Sequence, residues 1–268
     1  MKIAALIPAK GFTNAKQRLS PLLGVAQREL LAEAMLRDVL GQAVLSRGLD
    51  GVYVVTGDSG VSEIASFLGV HVIREESERG ETEAAVFALA SMGQAGIDAA
   101  LVIPGDIPLV RSDDIELLLG QLSGHDANLP FALLTPSHDR MGTNALLLSP
   151  LGVIKLGFGY DSFTYHLAQV EAAGLPPRVL ENERIALDID EPKDLERFLE
   201  IVTRVRGSTS SPPRAESRGS SCSPNEHDNR ARARISGGRT YETARKMGIV
   251  RALENANRFG KSCGGWKS

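Results

Sequence analysis

Apolar residues along the first 206 positions alternate between short continuous runs and helix-like spacing. The segments Ile3–Ile7, Val52–Val55 and Ala99–Ile103 are short apolar runs that end in turn residues, as buried strands do. Between them, Arg28–Leu45 and Glu83–Met92 repeat apolar side chains every three or four positions, which is typical of helices. This alternation predicts an α/β fold with a mostly parallel, mixed sheet that is sandwiched by helices.

Further elements complete this pattern and indicate where a site can form. Pro192 is predicted to open the final helix, with Phe198 and Leu199 facing inward. Ligands of parallel sheets collect at the carboxyl ends of the strands, so we expect a site in the loops after the three strands named above. The remaining predicted elements are strands at Val70–Ile73, Phe131–Leu134 and Asn144–Leu148 and helices at Ser62–Leu68, Asp113–Leu122 (with Ser112 as N-cap) and Phe163–Ala173.

The apolar pattern stops at Gly207, and the chain is predicted to divide there. Residues 1–206 form the domain, and residues 207–268 form a basic, low-complexity tail that we expect to be disordered because it lacks apolar periodicity. A weak helical pattern between Thr243 and Ala256 could order on a partner. We interpret the tail as a non-functional extension, with anion binding and an altered reading frame at the 3′ end of the gene as alternatives.

Charge is distributed unevenly between these two parts. Residues 1–206 carry 18 Lys and Arg against 28 Asp and Glu, a net charge of −10, whereas residues 207–268 carry 12 against 5, a net charge of +7. An acidic domain is a poor candidate for binding nucleic acid, which requires a basic face. Both cysteines lie in the tail, which argues against a disulfide or cysteine metal site in the domain. The sequence predicts no membrane span and no signal peptide, hence a cytoplasmic protein, and leaves a homodimer open.

The first candidate site is the cationic segment Pro8-Ala9-Lys10 to Leu19, which follows the first predicted strand. Lys10, Lys16 and Arg18 alternate there with small residues in an otherwise acidic domain. Backbone N–H groups and cations in such a loop suit a polyphosphate, since they neutralise the charge that builds on departing pyrophosphate. The alternative is a solvated surface loop, and the spacing excludes a Walker A motif.

Three aspartates are candidate metal ligands. Asp106 follows a buried strand between Pro104 and Pro108, where magnesium could bridge its carboxylate to a substrate phosphate. Asp188 and Asp190 are two positions apart in a predicted strand end, so their like charges would share one face and favour a cation. The alternatives are a turn aspartate at Asp106 and an acidic turn in which Asp190 caps the last helix.

Two glycine-containing segments are candidate anion sites. Gly142-Thr143-Asn144 resembles a small corner for an anion or an amide, and Gly159 and Ser162 open a predicted helix whose N-terminus could hold a phosphate or carboxylate. The alternatives are a turn before a strand and an ordinary helix cap. His166 is interpreted as a packed, hydrogen-bonded histidine and not as an acid or base.

Taken in order, these segments resemble the 2-phospho-L-lactate guanylyltransferases (CofC/FbiD family) of deazaflavin coenzyme F-420 biosynthesis. The resemblance runs from about residue 1 to residue 202 and implies a Rossmann-like nucleotidyltransferase fold. It implies that a phosphorylated three-carbon acid (2-phospholactate, phosphoenolpyruvate or 3-phosphoglycerate) attacks the α-phosphorus of GTP. The matching segments are Pro8-Ala9-Lys10 to Leu19, Pro104–Pro108, Gly142–Leu147, Phe158–His166 and Asp188–Leu195.

The resemblance also implies roles for individual residues. Mg²⁺ would be the cofactor, with Asp106, Asp188 and Asp190 as its ligands. The acid's phosphate and carboxylate would contact Thr143, Gly159 and Ser162. Pro8, Ala9, Lys10, Lys16, Arg18 and Asp106 would contact the nucleotide, with Lys10, Lys16 and Arg18 as the catalytic cations.

One segment departs from the family pattern. Where the family often has Gly-Leu-Asn-Ala-Ala against the nucleotide, this chain has Gly80-Glu81-Thr82-Glu83-Ala84. Gly80 and Thr82 are therefore expected to bind the nucleotide, with an altered contact to its base. The functional alternatives are a nucleotidyltransferase for a sugar phosphate or a molybdopterin-like acceptor and a catalytically silent nucleotide-binding module.

Overall fold

The computed structural model describes residues 1–76, 80–122, 125, 129–208 and 237–250, whose strands form one six-stranded sheet in the order β3-β2-β1-β4-β6-β5. Strands β1 to β4 run parallel, and among the described strands β6 alone runs in the opposite direction. The predicted mixed, mostly parallel sheet is confirmed. The strands are β1 (Ile3–Pro8), β2 (Gly51–Thr56), β3 (His71–Arg74), β4 (Ala99–Val102), β5 (Phe131–Pro136) and β6 (Thr143–Ser149).

Helices cover both faces of this sheet. Alternate residues of β1 point to opposite faces: Ala5 and Ile7 pack in one core cluster, and Ala4 and Leu6 pack in another. Because both faces are buried, the strands have continuous apolar sequences instead of alternating polar and apolar residues. The helices are α1 (Val25–Leu45), α2 (Ser59–Phe67), α3 (Glu81–Gln94), α4 (Ser112–Gly120), α5 (Ser162–Ala172), α6 (Pro192–Ser208) and α7 (Gly238–Lys246), with a 3-10 helix at Gln17–Leu19.

A third apolar cluster, here called the site floor, joins the segments that carry the candidate site. It contains Leu19 at the end of the cationic segment (hereafter the cationic loop), Leu109 three positions after Asp106, and Ile189 directly before Asp190. Phe198 is also fully buried in the site floor, as predicted. Burial of these residues fixes the loops on which the polar side chains stand.

Two local predictions are wrong. Ser112 is the first residue of α4 and not its N-cap; the N-cap is Arg111, whose N–H donates to the carboxylate of Asp114 at 2.9 Å. Residues 187–190 are extended but do not form a strand, because the N–H of Ile189 donates to the carbonyl of Asp106 at 3.1 Å instead of joining the sheet. This single backbone contact still brings the two acidic segments together.

The predicted disordered tail contains an ordered helix where it is described. α7 lies against α1, and Asp38 of α1 accepts hydrogen bonds from the N–H groups of Arg239 (3.2 Å) and Thr240 (2.9 Å) at the start of α7. A carboxylate there satisfies helix N–H groups that have no partner within the helix. The expectation of disorder is therefore wrong for residues 237–250. The predicted helical pattern overlaps α7 at residues 243–246, and its residues 251–256 lie outside the described residues. Residues 209–236 and 251–268, including Cys222 and Cys263, lie outside the described residues.

The hydroxyl of Thr240 offers a test of this docking. It donates to Asp38 at 2.8 Å, and both side chains are buried. We expect Thr240→Val to lower the free energy of unfolding by about 1–2 kcal/mol, since the buried carboxylate loses a donor. Urea unfolding measures this, with Thr243→Val on the same helix as the matched control. Equal losses in the two variants would show that the Asp38 contact does not stabilise the fold.

No helix among the described residues combines the length and the apolar character needed to span a bilayer.

Candidate active site

An open cleft of about 660 Å³ lies at the carboxyl end of β1. The segment 8–18 forms most of its wall, together with Gly105, Asp106, Asp190 and three apolar residues of α1 (Ala32, Met35 and Leu36). Seven of the predicted site residues meet there, although they come from three distant parts of the chain. They are Pro8, Ala9, Lys10, Lys16, Arg18, Asp106 and Asp190.

Close packing against β2 and α2 holds the first half of the cationic loop. The N–H of Ala9 donates to the carbonyl of Val55 at 3.1 Å. A Cβ at Gly11 would lie 2.7 Å from an oxygen of Asp58, the residue that caps α2 through the N–H of Val61. A side chain at position 11 would therefore press on the carboxylate that caps α2.

Arg28 holds the second half of the loop. Its side chain is buried and donates from Nε to the carbonyl of Ala15 at 3.2 Å and from Nη1 to the carbonyl of Leu23 at 2.9 Å. The sequence does not indicate this role, since Arg28 lies within a helical pattern and belongs to none of the candidate motifs. A guanidinium suits the task because its rigid fork can serve two carbonyls at once.

Lys16 is the central charge of the cleft. Its ammonium lies 2.5 Å from Asp106 and 2.7 Å from Asp190, and its side chain is 11% exposed. Burial alone would lower the pKa of Lys16, but the charges of Asp106 and Asp190 raise it above its ordinary value, so the ammonium stays protonated. The Lys16 backbone has φ 52°, a left-handed conformation that costs a non-glycine residue roughly 1–2 kcal/mol. The two ion pairs offset this cost.

Lys10 and Arg18 present their charges to the open side of the cleft. Lys10 is exposed, and the side chain of Arg18 is 71% exposed with Nη1 4.0 Å from Asp190 and 3.9 Å from Glu191. Contacts of this length and exposure contribute little to stability. Both cations can therefore bind an anion in the cleft with little loss of existing ion-pair energy.

The three aspartates have different surroundings. One oxygen of Asp106, Oδ1, is buried and has no hydrogen-bond partner among the described residues. Burial raises the pKa of Asp188, and the charge of Asp106 raises it further, against a hydrogen bond of 3.0 Å from Asn144. Burial alone would also raise the pKa of Asp190, but Lys16 reverses the effect and lowers it. The three aspartates together therefore carry more negative charge than the Lys16 ammonium neutralises.

Asp190 is not the cap of the last helix, one of the two alternatives left open by the sequence. Its side chain pairs with Lys16, and the carboxylate of Asp194 in the first turn of α6 accepts from the N–H groups of Glu191 (2.8 Å) and Asp190 (3.2 Å). The side chain of Asp190 is thus directed into the cleft. In the described part of the chain, no group of three Asp, Glu, His or Cys side chains is arranged to bind a metal ion. The ammonium of Lys16 lies between the carboxylates of Asp106 and Asp190.

The predicted acceptor residues form a second, separate group. Thr143 and Ser162 are buried, and the N–H of Thr143 donates to the hydroxyl of Ser162 at 3.0 Å. Gly159 has φ 125°, which requires glycine. Asn144 connects this group to the acidic one, because its amide donates both to Asp188 and to the carbonyl of Ile185, each at 3.0 Å. Direct contact of these residues with a substrate stays a prediction.

His166 is a packed histidine, as interpreted from the sequence. It is fully buried, and the N–H of Gly157 donates to its Nε2 at 3.1 Å. Nε2 must then be unprotonated, so Nδ1 carries the proton and donates to the hydroxyl of Thr143 at 2.9 Å. Burial lowers the pKa of His166 to about 4.

This histidine predicts a specific loss of stability in acid. Folding lowers the pKa from 6.5 to about 4, so the unfolded state takes up a proton that the native state refuses. The stabilisation by neutral His166 is complete above pH 6.5 and is lost as the pH falls to about 4, by up to about 3 kcal/mol. Urea unfolding at pH 7 and pH 5 measures it. The decrease should be smaller in His166→Gln, and an equal decrease would contradict the assignment.

Gly80 and Thr82 do not line the cleft. Gly80 is the N-cap of α3, and the hydroxyl of Thr82 accepts from the N–H of Phe158 at 2.8 Å. The nucleotide contacts that the resemblance implies for these two residues stay predictions. The hydroxyl of Thr82 is hydrogen-bonded to Phe158, next to the predicted acceptor residue Gly159.

A family model described as "Guanylyl transferase CofC like" matches residues 3–211. The chain belongs to this family. This CofC-like protein is 34% identical over 207 residues to the phosphoenolpyruvate guanylyltransferase of Conexibacter woesei, covering 77% of this chain and 92% of the relative. It is 36% identical over 195 residues to the 2-phospho-L-lactate guanylyltransferase of Methanothermobacter thermautotrophicus, covering 73% and 83%. Overall identity therefore does not separate the two acceptors.

A solved structure supports the fold. The proposed nucleotide-diphospho-sugar transferase of Desulfovibrio desulfuricans G20 aligns with a TM-score of 0.65, covering 94% of this CofC-like chain and 99% of its own at 18% identity. At that identity the likeness shows the fold alone. The family match and the relatives above make the chain a nucleotidyltransferase.

Proposed function

We propose that this CofC-like protein transfers GMP from GTP to the phosphate of a phosphorylated three-carbon acid and releases pyrophosphate, in coenzyme F-420 biosynthesis. The acid is 2-phospho-L-lactate, phosphoenolpyruvate or 3-phospho-D-glycerate, and the reaction takes place in the cytoplasm. The observation that carries the proposal is the cleft at the end of β1, where Lys16 lies between Asp106 and Asp190 and Lys10 and Arg18 lie open beside them.

We propose Mg²⁺ as the cofactor, held by Asp106, Asp188 and Asp190. Three features fit this ion. A buried oxygen of Asp106 has no partner among the described residues, and the pKa of Asp188 is raised by burial and by the charge of Asp106. In addition, Asp106 and Asp190 already bind a cation, the ammonium of Lys16. Bound there, Mg²⁺ supplies charge neutralisation and polarisation of the α-phosphate. Lys16 pairs with the other oxygen of Asp106 and with Asp190, so its ammonium would lie in the same cleft as the ion.

The reaction needs positioning more than acid–base catalysis. An oxygen of the acid's phosphate forms a bond to the α-phosphorus, and the bond from that phosphorus to the bridging oxygen of pyrophosphate breaks. The attacking oxygen is already anionic, so no side chain has to remove a proton. Lys10, Lys16 and Arg18 stabilise the charge on the departing pyrophosphate. The reaction therefore does not need His166, which is buried and neutral, as an acid or a base.

Pyrophosphate release tests the proposal. Purified protein with Mg²⁺ is incubated with each of the four nucleoside triphosphates and, in turn, with each of the three acids and with a sugar phosphate. We expect release with GTP and one of the acids, and none when the acid is omitted. Silence across the panel from protein with a cooperative thermal transition would overturn the proposal. Release with another triphosphate and a sugar phosphate would replace it with the related transferase reaction.

A further inference from the structure

We propose that Thr82 and His166 are positioning residues that clamp the acceptor loop, defined as Gly157–Asp161, and that Thr82 ties this loop to the first turn of α3. The assignment of the loop to the acceptor rests on the proposed function. The clamp itself rests on hydrogen bonds to two successive backbone groups of the loop.

His166 supplies the first attachment. Its Nε2 accepts from the N–H of Gly157 at 3.1 Å, and its Nδ1 donates to Thr143 at 2.9 Å. The ring is also in edge contact with Phe158, with centroids 5.2 Å apart. A neutral imidazole can accept on one nitrogen and donate on the other, so His166 bridges the loop to the predicted acceptor corner at Thr143.

Thr82 supplies the second attachment from the opposite side. Its hydroxyl accepts from the N–H of Phe158 at 2.8 Å, so two adjacent N–H groups of the loop are held by side chains from two different helices, α3 and α5. A Cβ on Gly157 would overlap the ring of Tyr165, which closes the remaining side. The loop then reverses at Gly159, with φ 125°.

Thr82 stands in the first turn of α3, directly after the exposed Glu81. The charge of Glu81 interacts with those of Asp106 and Lys10.

This geometry gives Thr82 a different role from the one implied by the family resemblance. A threonine whose hydroxyl accepts from the acceptor loop acts on the acid, whereas a base contact would act on GTP. The two roles are separable, because they predict changes in different Michaelis constants. The conservative serine keeps the hydroxyl and valine keeps the shape, so the pair isolates the hydrogen bond.

The experiment compares Thr82→Val, Thr82→Ser and the exposed control Thr164→Val with the wild type. Hydrogen–deuterium exchange of a peptide that covers residues 156–160 measures the clamp without any substrate. Steady-state kinetics then gives KM for the acid and for GTP. We expect Thr82→Val to speed exchange in this peptide and to raise KM for the acid about tenfold, with KM for GTP changed less than twofold. Thr82→Ser and Thr164→Val should stay near wild type.

Two results would overturn the inference. Unchanged exchange in Thr82→Val would show that the hydroxyl does not hold the loop. A rise in KM for GTP with KM for the acid unchanged would make Thr82 a nucleotide contact. If the wild type turns over none of the acids, the proposed function fails, and the exchange comparison still decides whether Thr82 clamps the loop.

Discussion

Replacing Asp106 with Asn is expected to lower the rate of pyrophosphate release at saturating GTP by about 10³-fold while the protein remains folded. Asp106 is paired with Lys16 through one oxygen, and its other oxygen is buried without a partner in the described part of the chain. Asparagine keeps the shape but removes the charge that pairs with the Lys16 ammonium and that would hold the proposed Mg²⁺. A loss of this size is what removal of one strong electrostatic contact to a transition state produces.

The matched control is Asp113→Asn, which removes an exposed carboxylate in the first turn of α4. It should leave the rate within about twofold of wild type, because it faces solvent. A second readout is the thermal stabilisation by GTP that depends on Mg²⁺, which should disappear in Asp106→Asn and persist in the control. Undiminished stabilisation in Asp106→Asn would remove this residue from the metal site.

Replacing Lys16 with Met is expected to change metal binding and turnover in opposite directions. The ammonium competes with any metal for Asp106 and Asp190, so its removal should increase the rise in Tm caused by Mg²⁺ alone. The same change removes a cation from the departing pyrophosphate, so the rate should fall by about 10²-fold or more. Methionine keeps most of the length and the apolar stem of lysine, which limits disturbance of the loop.

The control for this variant is Lys155→Met, at an exposed position. It should change neither the response of Tm to Mg²⁺ nor the rate. If Lys16→Met responded to Mg²⁺ no more than wild type, the ammonium would not be occupying a metal position. If it also kept full activity, Lys16 would have no part in the reaction.

The gathering of the cleft residues was predictable because it follows from topology. Parallel strands place their carboxyl ends at one edge of a sheet, so the loop after β1 and Asp106 after β4 had to be neighbours. The apolar runs indicated those strands because both faces of the sheet are covered. Topology alone did not predict the position of Asp190, because residues 187–190 do not form a strand of the sheet.

Pairings between distant side chains were not predictable. The sequence presents Lys16 as one of three similar cations, and its burial between carboxylates 90 and 174 positions away depends on how the loops fold back. Asp38 is a charged residue on a buried face of α1, and its function became visible once α7 supplied the N–H groups that it accepts from. The hydroxyl of Thr82 likewise has a partner 76 positions away.

The most direct test of the central claim follows the oxygen atoms of the acceptor. The acid that supports turnover is prepared with ¹⁸O in the non-bridging positions of its phosphate and incubated with GTP, Mg²⁺ and the wild-type protein. Mass spectrometry of the products then shows which bond has formed. Attack on the α-phosphorus predicts a GMP–acid diphosphate that carries all of the label and pyrophosphate that carries none. Label in the pyrophosphate, or GMP released without attachment to the acid, would contradict the account.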